Sequence, residues 1–243
     1  MHNSILNTIQ AKAQGLWAQE GILDESIHIN ARTLSVEEAI GNPEGDDFPL
    51  QRGKEKLMEA EFRNARGQAF TDRFGNFSSP LREIVEMKLD NNFRRAIFVS
   101  AFNAVQRSLK QAKKTIHCRD EGPALCAPQF AKHIMETYGK VRITMVGYQP
   151  AMIEALAKNF ELRVVDLDPD NIGSQKCGLT IEGPDDTENA ISDAELLVVT
   201  GSTIVNDTLG DFLLENKPTI FFGTTVAAAA DLMGWSRFCC ESS

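Results

Sequence analysis

What this chain has little of narrows it first. Its 243 residues include five cysteines, an odd number too small for a disulfide scaffold, and in a reducing compartment they stay thiols. Basic residues are in deficit: 25 Lys and Arg stand against 34 Asp and Glu, and the net charge of −9 is spread along the chain. That balance excludes a basic face for nucleic acid and a polybasic anchor for membranes. Long apolar runs are missing too. The longest stretch, Thr219 to Met233, is too short to span a bilayer and contains Gly223 and Asp231. The first residues lack the basic start and apolar core of a secretory signal. Internal repeats and low-complexity segments are absent. These gaps predict a cytoplasmic protein without nucleic-acid or membrane partners, long enough for one large domain or two modest ones.

What is present changes character midway. Residues 3–19 carry Ile5, Leu6, Ile9, Ala13 and Leu16 near helical spacing, and Ser26 to Thr33 alternates as a strand does. Gly41-Asn42-Pro43-Glu44-Gly45-Asp46-Asp47 is dense in turn formers and predicts a surface loop. Leu57 to Phe62 fits strand or helix, a turn cluster surrounds Gly75-Asn76, and helices are expected over about 81–88 and 92–110. Asn103 interrupts the apolar face of the second helix; a buried Asn needs partners, so it braces a loop or helps build a cleft. From Val141 the rhythm becomes βαβ. Strands are expected at 141–146, 162–165, 196–200 and 218–222, with a last edge strand at Phe238-Cys239. A helix over about 151–159 follows the first. A polar, Gly-rich connector over about 169–192 has room for one short element, a helix should follow Gly201-Ser202-Thr203 to about Glu215, and an Ala-rich helix should follow Gly223-Thr224-Thr225. The fold class predicted is α/β: a small α+β domain at 1–115, then a three-layer α/β domain with a mainly parallel sheet at 116–243.

In open parallel sheets ligands sit where strand carboxyl ends meet helix starts. Each such end here carries suitable residues. Gly147 allows close backbone approach, with Gln149 in the same turn and Pro150 at the first helical turn. Gly201, Ser202 and Thr203, with Asn206 just beyond, and Gly223 with Thr224 present small hydroxyl residues and backbone N–H groups of the kind that hold anions. Capping alone would select the same residues. Asp166 stands about twenty residues beyond Gly147, where nucleotide-binding sheets place an acidic residue on a ribose hydroxyl. The full G-x-G-x-x-G pattern and the P-loop are both missing, which argues against ordinary hydride transfer and ATP hydrolysis.

The densest chemistry is His117-Cys118-Arg119-Asp120-Glu121-Gly122-Pro123-Ala124-Leu125-Cys126. His117, Cys118, Asp120 and Cys126 are candidate ligands for a divalent transition metal. The spacing lacks the paired C-x-x-C of a zinc ribbon, and adjacent His117 and Cys118 diverge if the backbone is extended. Three readings stand: packing, with Cys118 ending a short strand and Cys126 facing a core; metal ligation; or contact with an organic ligand. Cys239-Cys240 looks like a soft-metal pair, though adjacent cysteines strain to hold one ion.

The runs TIHCRDEGPALCA, VRITMVGYQPAMIEAL, VVDLDPD, TGSTIVNDTL and FFGTT resemble the putative heavy-metal chelation domain family. The earlier segments GNPEGDDFPLQRGKEKL, ARGQAFTDRFGNFS and AFNAV look like the domain that commonly precedes it. The resemblance implies a Rossmann-like second domain, a first domain similar to the N-terminal domain of enolase, and a link to anaerobic corrinoid biosynthesis. Gly122 departs from the family pattern, where a second acidic residue is expected. Residues and resemblance together predict a binding protein for a metal ion or a metal-bearing or anionic small molecule in the interdomain cleft, with a homo-oligomer allowed for. The alternative is an enzyme with an adenosine-containing cofactor and Cys118 or His117 as its reactive group.

Overall fold

The computed structural model describes residues 4–33, 35–41 and 55–243. The turn-rich segment from Asn42 onward lies outside them up to Glu55.

The N-terminal half begins with α1 (Ile5–Gln19), capped by the Ser4 hydroxyl, which accepts from Leu6 N at 3.2 Å. It buries Leu6, Ile9, Ala13 and Trp17, spaced three and four apart. Then come β1 (Ser26–Thr33), α2 (Val36–Ile40), β2 (Lys56–Phe62), β3 (Ala65–Thr71), β4 (Ser79–Pro80) and α3 (Leu81–Glu86). The strands form an antiparallel sheet of order β3-β2-β1-β4. Leu57 to Phe62 is thus a strand, turned back into β3 by Arg63 and Asn64, both at positive φ (48° and 65°) as a tight hairpin requires.

Helix α4 (Asn92–Ser108) is buried at every residue from Ala96 to Gln106. A helix apolar and covered all round belongs inside a molecule. One side packs on β2 and β3, where Gly67 lets the backbones approach; another meets the alanine-rich helix near the chain's end.

The C-terminal half runs α5 (Gly122–Tyr138), β5 (Arg142–Val146), α6 (Pro150–Ala157), β6 (Glu161–Val165), β7 (Gln175–Lys176), β8 (Leu179–Glu182), α7 (Thr187–Asp193), β9 (Leu196–Thr200), β10 (Thr219–Phe222), α8 (Ala227–Met233) and β11 (Arg237–Phe238). Its sheet has the order β11-β10-β9-β5-β6-β8-β7, parallel throughout except for the β7–β8 hairpin. Numbered along the chain, the six parallel strands lie 3-2-1-4-5-6, the order of doubly wound sheets, with the switch point between β5 and β9. Alternate residues serve opposite faces. Ile143, Met145, Val198 and Ile220 pack against α5 and α6, while Val146, Leu197, Val199 and Phe221 join the core that contains α1, α4 and α8.

Two expectations are corrected. The connector 169–192 holds two strands, a 3-10 turn and α7 rather than one short element. After β9 there is no helix to Glu215, but two 3-10 turns, Gly201–Ile204 and Leu209–Phe212. Hydroxyl and Asx side chains compete with the helical ladder there: Thr203 Oγ1 donates to Thr200 O at 2.7 Å, and Asp207 between the turns has a φ of 60°. Among the described residues no helix is long and apolar enough to cross a membrane.

Candidate functional site

The carboxyl ends of β5, β6, β9 and β10 open onto one cavity of about 850 Å³. Its opposite wall comes from the N-terminal half: Glu55, the end of β3 at Phe70, Thr71 and Asp72, and Asn92 at the start of α4. His117, Cys118, Pro123 and Cys126 close one side.

Asn103 holds these walls together. Its Nδ2 donates to the carbonyls of Gln68, Thr224 and Thr225 at 2.9, 3.2 and 3.0 Å, and its Oδ1 accepts from Ala228 N at 2.8 Å. Fully buried, it fixes β3 to the turn after β10, so bracing a loop and shaping the cleft are one role. A second stitch runs through Asn92, whose Nδ2 donates to Asp72 Oδ1 at 2.7 Å and to Asn206 Oδ1 at 3.2 Å.

Of the residues singled out at the strand ends, Gly147, Gln149, Asp166, Gly201, Ser202, Thr203, Asn206 and Gly223 line the cavity. Pro150 and Thr224 lie behind it; Thr225 takes the lining position instead, its hydroxyl accepting from Phe70 N at 3.1 Å. Gly147, at φ 100°, has no room for a Cβ, which would lie 2.7 Å from a Thr200 methyl. Several of these groups are already engaged. Gly147 N–H donates to Val165 O at 2.8 Å, and Gln149 Oε1 caps α6 by accepting from Met152 N. Asp166 accepts from Tyr148 N, Asp168 N and Asn171 Nδ2 at 2.7, 2.8 and 3.1 Å. It braces two loops at the cavity rim.

The metal candidates divide. His117, Cys118 and Cys126 line the cavity, but Asp120 does not: with a φ of 52° it turns its carboxylate onto Gly41 at the end of α2. The His117 ring meets Phe70 edge-on at 5.1 Å, and its buried Nδ1 has no hydrogen-bond partner among the described residues. Burial holds this imidazole neutral, down to about 4, against the opposing pull of the Cys118 and Ala39 carbonyls. Burial also pushes the Cys118 thiol far up, helped by charge on Cys239 and Cys126. Among the described residues, no three His, Cys, Asp or Glu side chains are grouped closely enough to hold one ion as placed.

Charge is the feature the sequence reading missed. Glu55, Asp72, Asp166, Asp168 and Asp211 line the cavity, and among the described residues no Lys or Arg does. Burial first, then Asp166, Asp168 and Asp72, raises Glu55 to about 7. The signal available was an acidic residue at the end of each of two strands, Asp72 and Asp166; Glu55 carried none.

Comparisons with known proteins bear on the large sheet. Residues 129–235 match the DUF364 family model, described as putative heavy-metal chelation. No curated protein matches the chain. A DUF364-family protein of unknown function from Pyrococcus horikoshii is similar over 90% of this chain and 78% of its own, at 18% identity and a TM-score of 0.53. Another, from Desulfitobacterium hafniense, is similar over 91% and 84%, at 14% identity and a TM-score of 0.50. At such identities the likeness is one of fold. The matched segment spans the strand ends but not His117, Cys118 or Cys126.

Proposed function

We propose that this chain, whose residues 129–235 match the putative heavy-metal chelation family model, is a cytoplasmic protein that binds a metal ion, or a cationic metal-bearing small molecule, in the cavity at the strand ends. The observation that carries this reading is the lining: five carboxylates and, among the described residues, no basic side chain. An anionic ligand would be repelled by these carboxylates in a partly desolvated space, whereas a cation relieves the repulsion that, after burial, raises Glu55. The donors suit a borderline divalent transition ion: carboxylate oxygens from Glu55, Asp72 and Asp168, and the Nδ1 of a neutral His117, which has no partner among the described residues. Bound there, the metal would supply a positive charge that the wall is built to neutralise. Because these side chains do not converge as placed, a ligand that brings donors of its own fits better than a bare ion.

Isothermal titration with Co²⁺, Ni²⁺ and Zn²⁺ tests the reading. Near-stoichiometric binding is expected for at least one ion, weakened tenfold or more in Asp72→Asn, with a proton released on binding near neutral pH that Glu55→Gln does not release. Absence of binding with all three ions, or an affinity in Asp72→Asn equal to that of wild type, would overturn it.

A second reading is supported by the 3-2-1-4-5-6 strand order: the cavity lies at the topological switch point, where sheets of this order can hold nucleotides. A thermal shift with adenosine cofactors but not with metals would favour an enzyme, with Cys118 or His117 as the reactive group.

A further inference from the structure

Two thiols 114 residues apart in the chain meet beside the cavity. Cys126, buried on α5, and Cys240, half-buried after β11, have their Sγ atoms 3.1 Å apart. That is about 1 Å more than the roughly 2.05 Å of a disulfide. Cys118 and Cys239 are close enough for their charges to act on this pair. The meeting is held by several contacts of the last residues. Ser243 exchanges backbone hydrogen bonds with Ile116 (2.9 and 3.1 Å), Arg107 Nη1 donates to Ser243 O at 2.7 Å, and Gln129 Nε2 donates to Glu241 Oε1 at 3.0 Å. Gly122 leaves room for Cys118 beside the C-terminal residues. A Cβ there would lie 2.7 Å from Cys118 Cβ and 3.6 Å from Glu241 Cβ. Cys126 and Cys240 both lie outside the family-matched segment.

We propose that Cys126 and Cys240 form a reversible dithiol–disulfide site, oxidised by a low-molecular-weight disulfide, which ties the C-terminal residues to α5. Cys240, the more exposed of the two, attacks one sulfur of the small disulfide RSSR. A mixed disulfide forms and one RSH leaves with the Cys240 proton. Cys126 then attacks Cys240 Sγ, the mixed disulfide breaks, and the second RSH departs with the Cys126 proton. The protein gives up two electrons and two protons, and RSSR takes both. The consequence reaches the cavity, because the residues pinned through Ser243 and Ile116 lead directly into His117 and Cys118 on its wall. Burial, then contact with Cys126, pushes the Cys240 thiol up to about 12, so exchange is slow at neutral pH.

The test is incubation of the full-length protein with oxidised glutathione at mildly alkaline pH, followed by alkylation and peptide mapping. Cys126 and Cys240 should lose their reactivity to alkylation together, any adduct on the exposed Cys177 mapping separately, with one crosslinked peptide joining 126 to 240, a raised melting temperature, and full reversal by dithiothreitol. In Cys126→Ser the glutathione adduct should persist on Cys240, while Cys177→Ser, which removes the exposed thiol, should fall from four free thiols to two with the same crosslink. Cys240→Ser, changed outside the core, should form neither product. Five thiols still titrating, a crosslink through Cys118 or Cys239 instead, or protection of the pair that a chelator abolishes would each overturn the proposal, the last by showing a bound metal in its place.

Discussion

Glu55 and His117 line the same cavity with opposite perturbations, and this has a measurable consequence. The folded chain keeps a proton on Glu55 up to about 7, whereas the unfolded chain sheds it near 4.5. Between those values the folded state holds more protons, so this contribution to stability falls as pH rises. His117 behaves the other way: the unfolded chain takes up a proton near 6.5 that the folded chain refuses until about 4. Over that range its contribution rises with pH. The two offset each other between about 4.5 and 6.5. Relative to wild type, Glu55→Gln should therefore gain stability as pH rises from about 4.5 to 7, and His117→Gln should lose it from about 4 to 6.5. Urea midpoints across pH measure both differences, and pH-independent differences would refute the assignment. His117 was legible in the sequence because it sits among other ligand-type residues. Glu55 was not, since a charged residue before a strand reads as surface and only the meeting of β3 with the β6 loop makes it a wall. Asp120 shows the converse: the right residue type near the right place is turned aside by one positive φ.

At the scale of elements, the contact between β3 and α4 rests on the absence of one side chain. A Cβ on Gly67 would lie 2.2 Å from Ala104 N and 2.5 Å from Ser100 O, both backbone atoms of a helix buried on every side. Gly67→Ala should accordingly cost about 3 kcal/mol through overpacking. Gly15, exposed on α1 with nothing within 4 Å of its Cβ position, is the control. Gly15→Ala should add about 0.8 kcal/mol through helix propensity. Chemical unfolding of the two variants distinguishes them, and similar shifts would show that α4 moves freely over β3. Elements with strong periodicity were readable beforehand. In β9, Leu196 and Val198 serve one face and Leu197 and Val199 the other, and the unbroken apolar run of a parallel strand follows from that double burial. The segments around Asn171 and Asn206 were not readable, because their short turns are set by side-chain-to-backbone bonds that leave no periodic trace.

For the whole molecule, the core does not stop where the sequence changes character. One buried cluster includes Trp17, Phe62 and Phe102 from the N-terminal half together with Val146, Leu197, Val199, Phe221 and Ala228 from the large sheet. Helix α4 contributes to it along its length, so separating the chain near residue 115 would expose α4 on one side and leave an uncovered sheet face on the other. Apolar area shared in this way makes unfolding of either half costly for its partner. Calorimetry should show one transition whose van't Hoff and calorimetric enthalpies agree, and two resolved transitions would mean that the halves are energetically independent. The cavity lies across the same junction, with Glu55, Asp72 and Asn92 on one wall and the strand ends on the other. A ligand that engages both walls binds only the assembled molecule. It should therefore raise the single transition as a whole, by about 2.7 kcal/mol at a hundredfold excess over its dissociation constant. A ligand held by the strand ends alone would be expected to leave an Asp72→Asn variant with an undiminished shift, so the size of that shift in wild type and variant locates the ligand on one wall or on both.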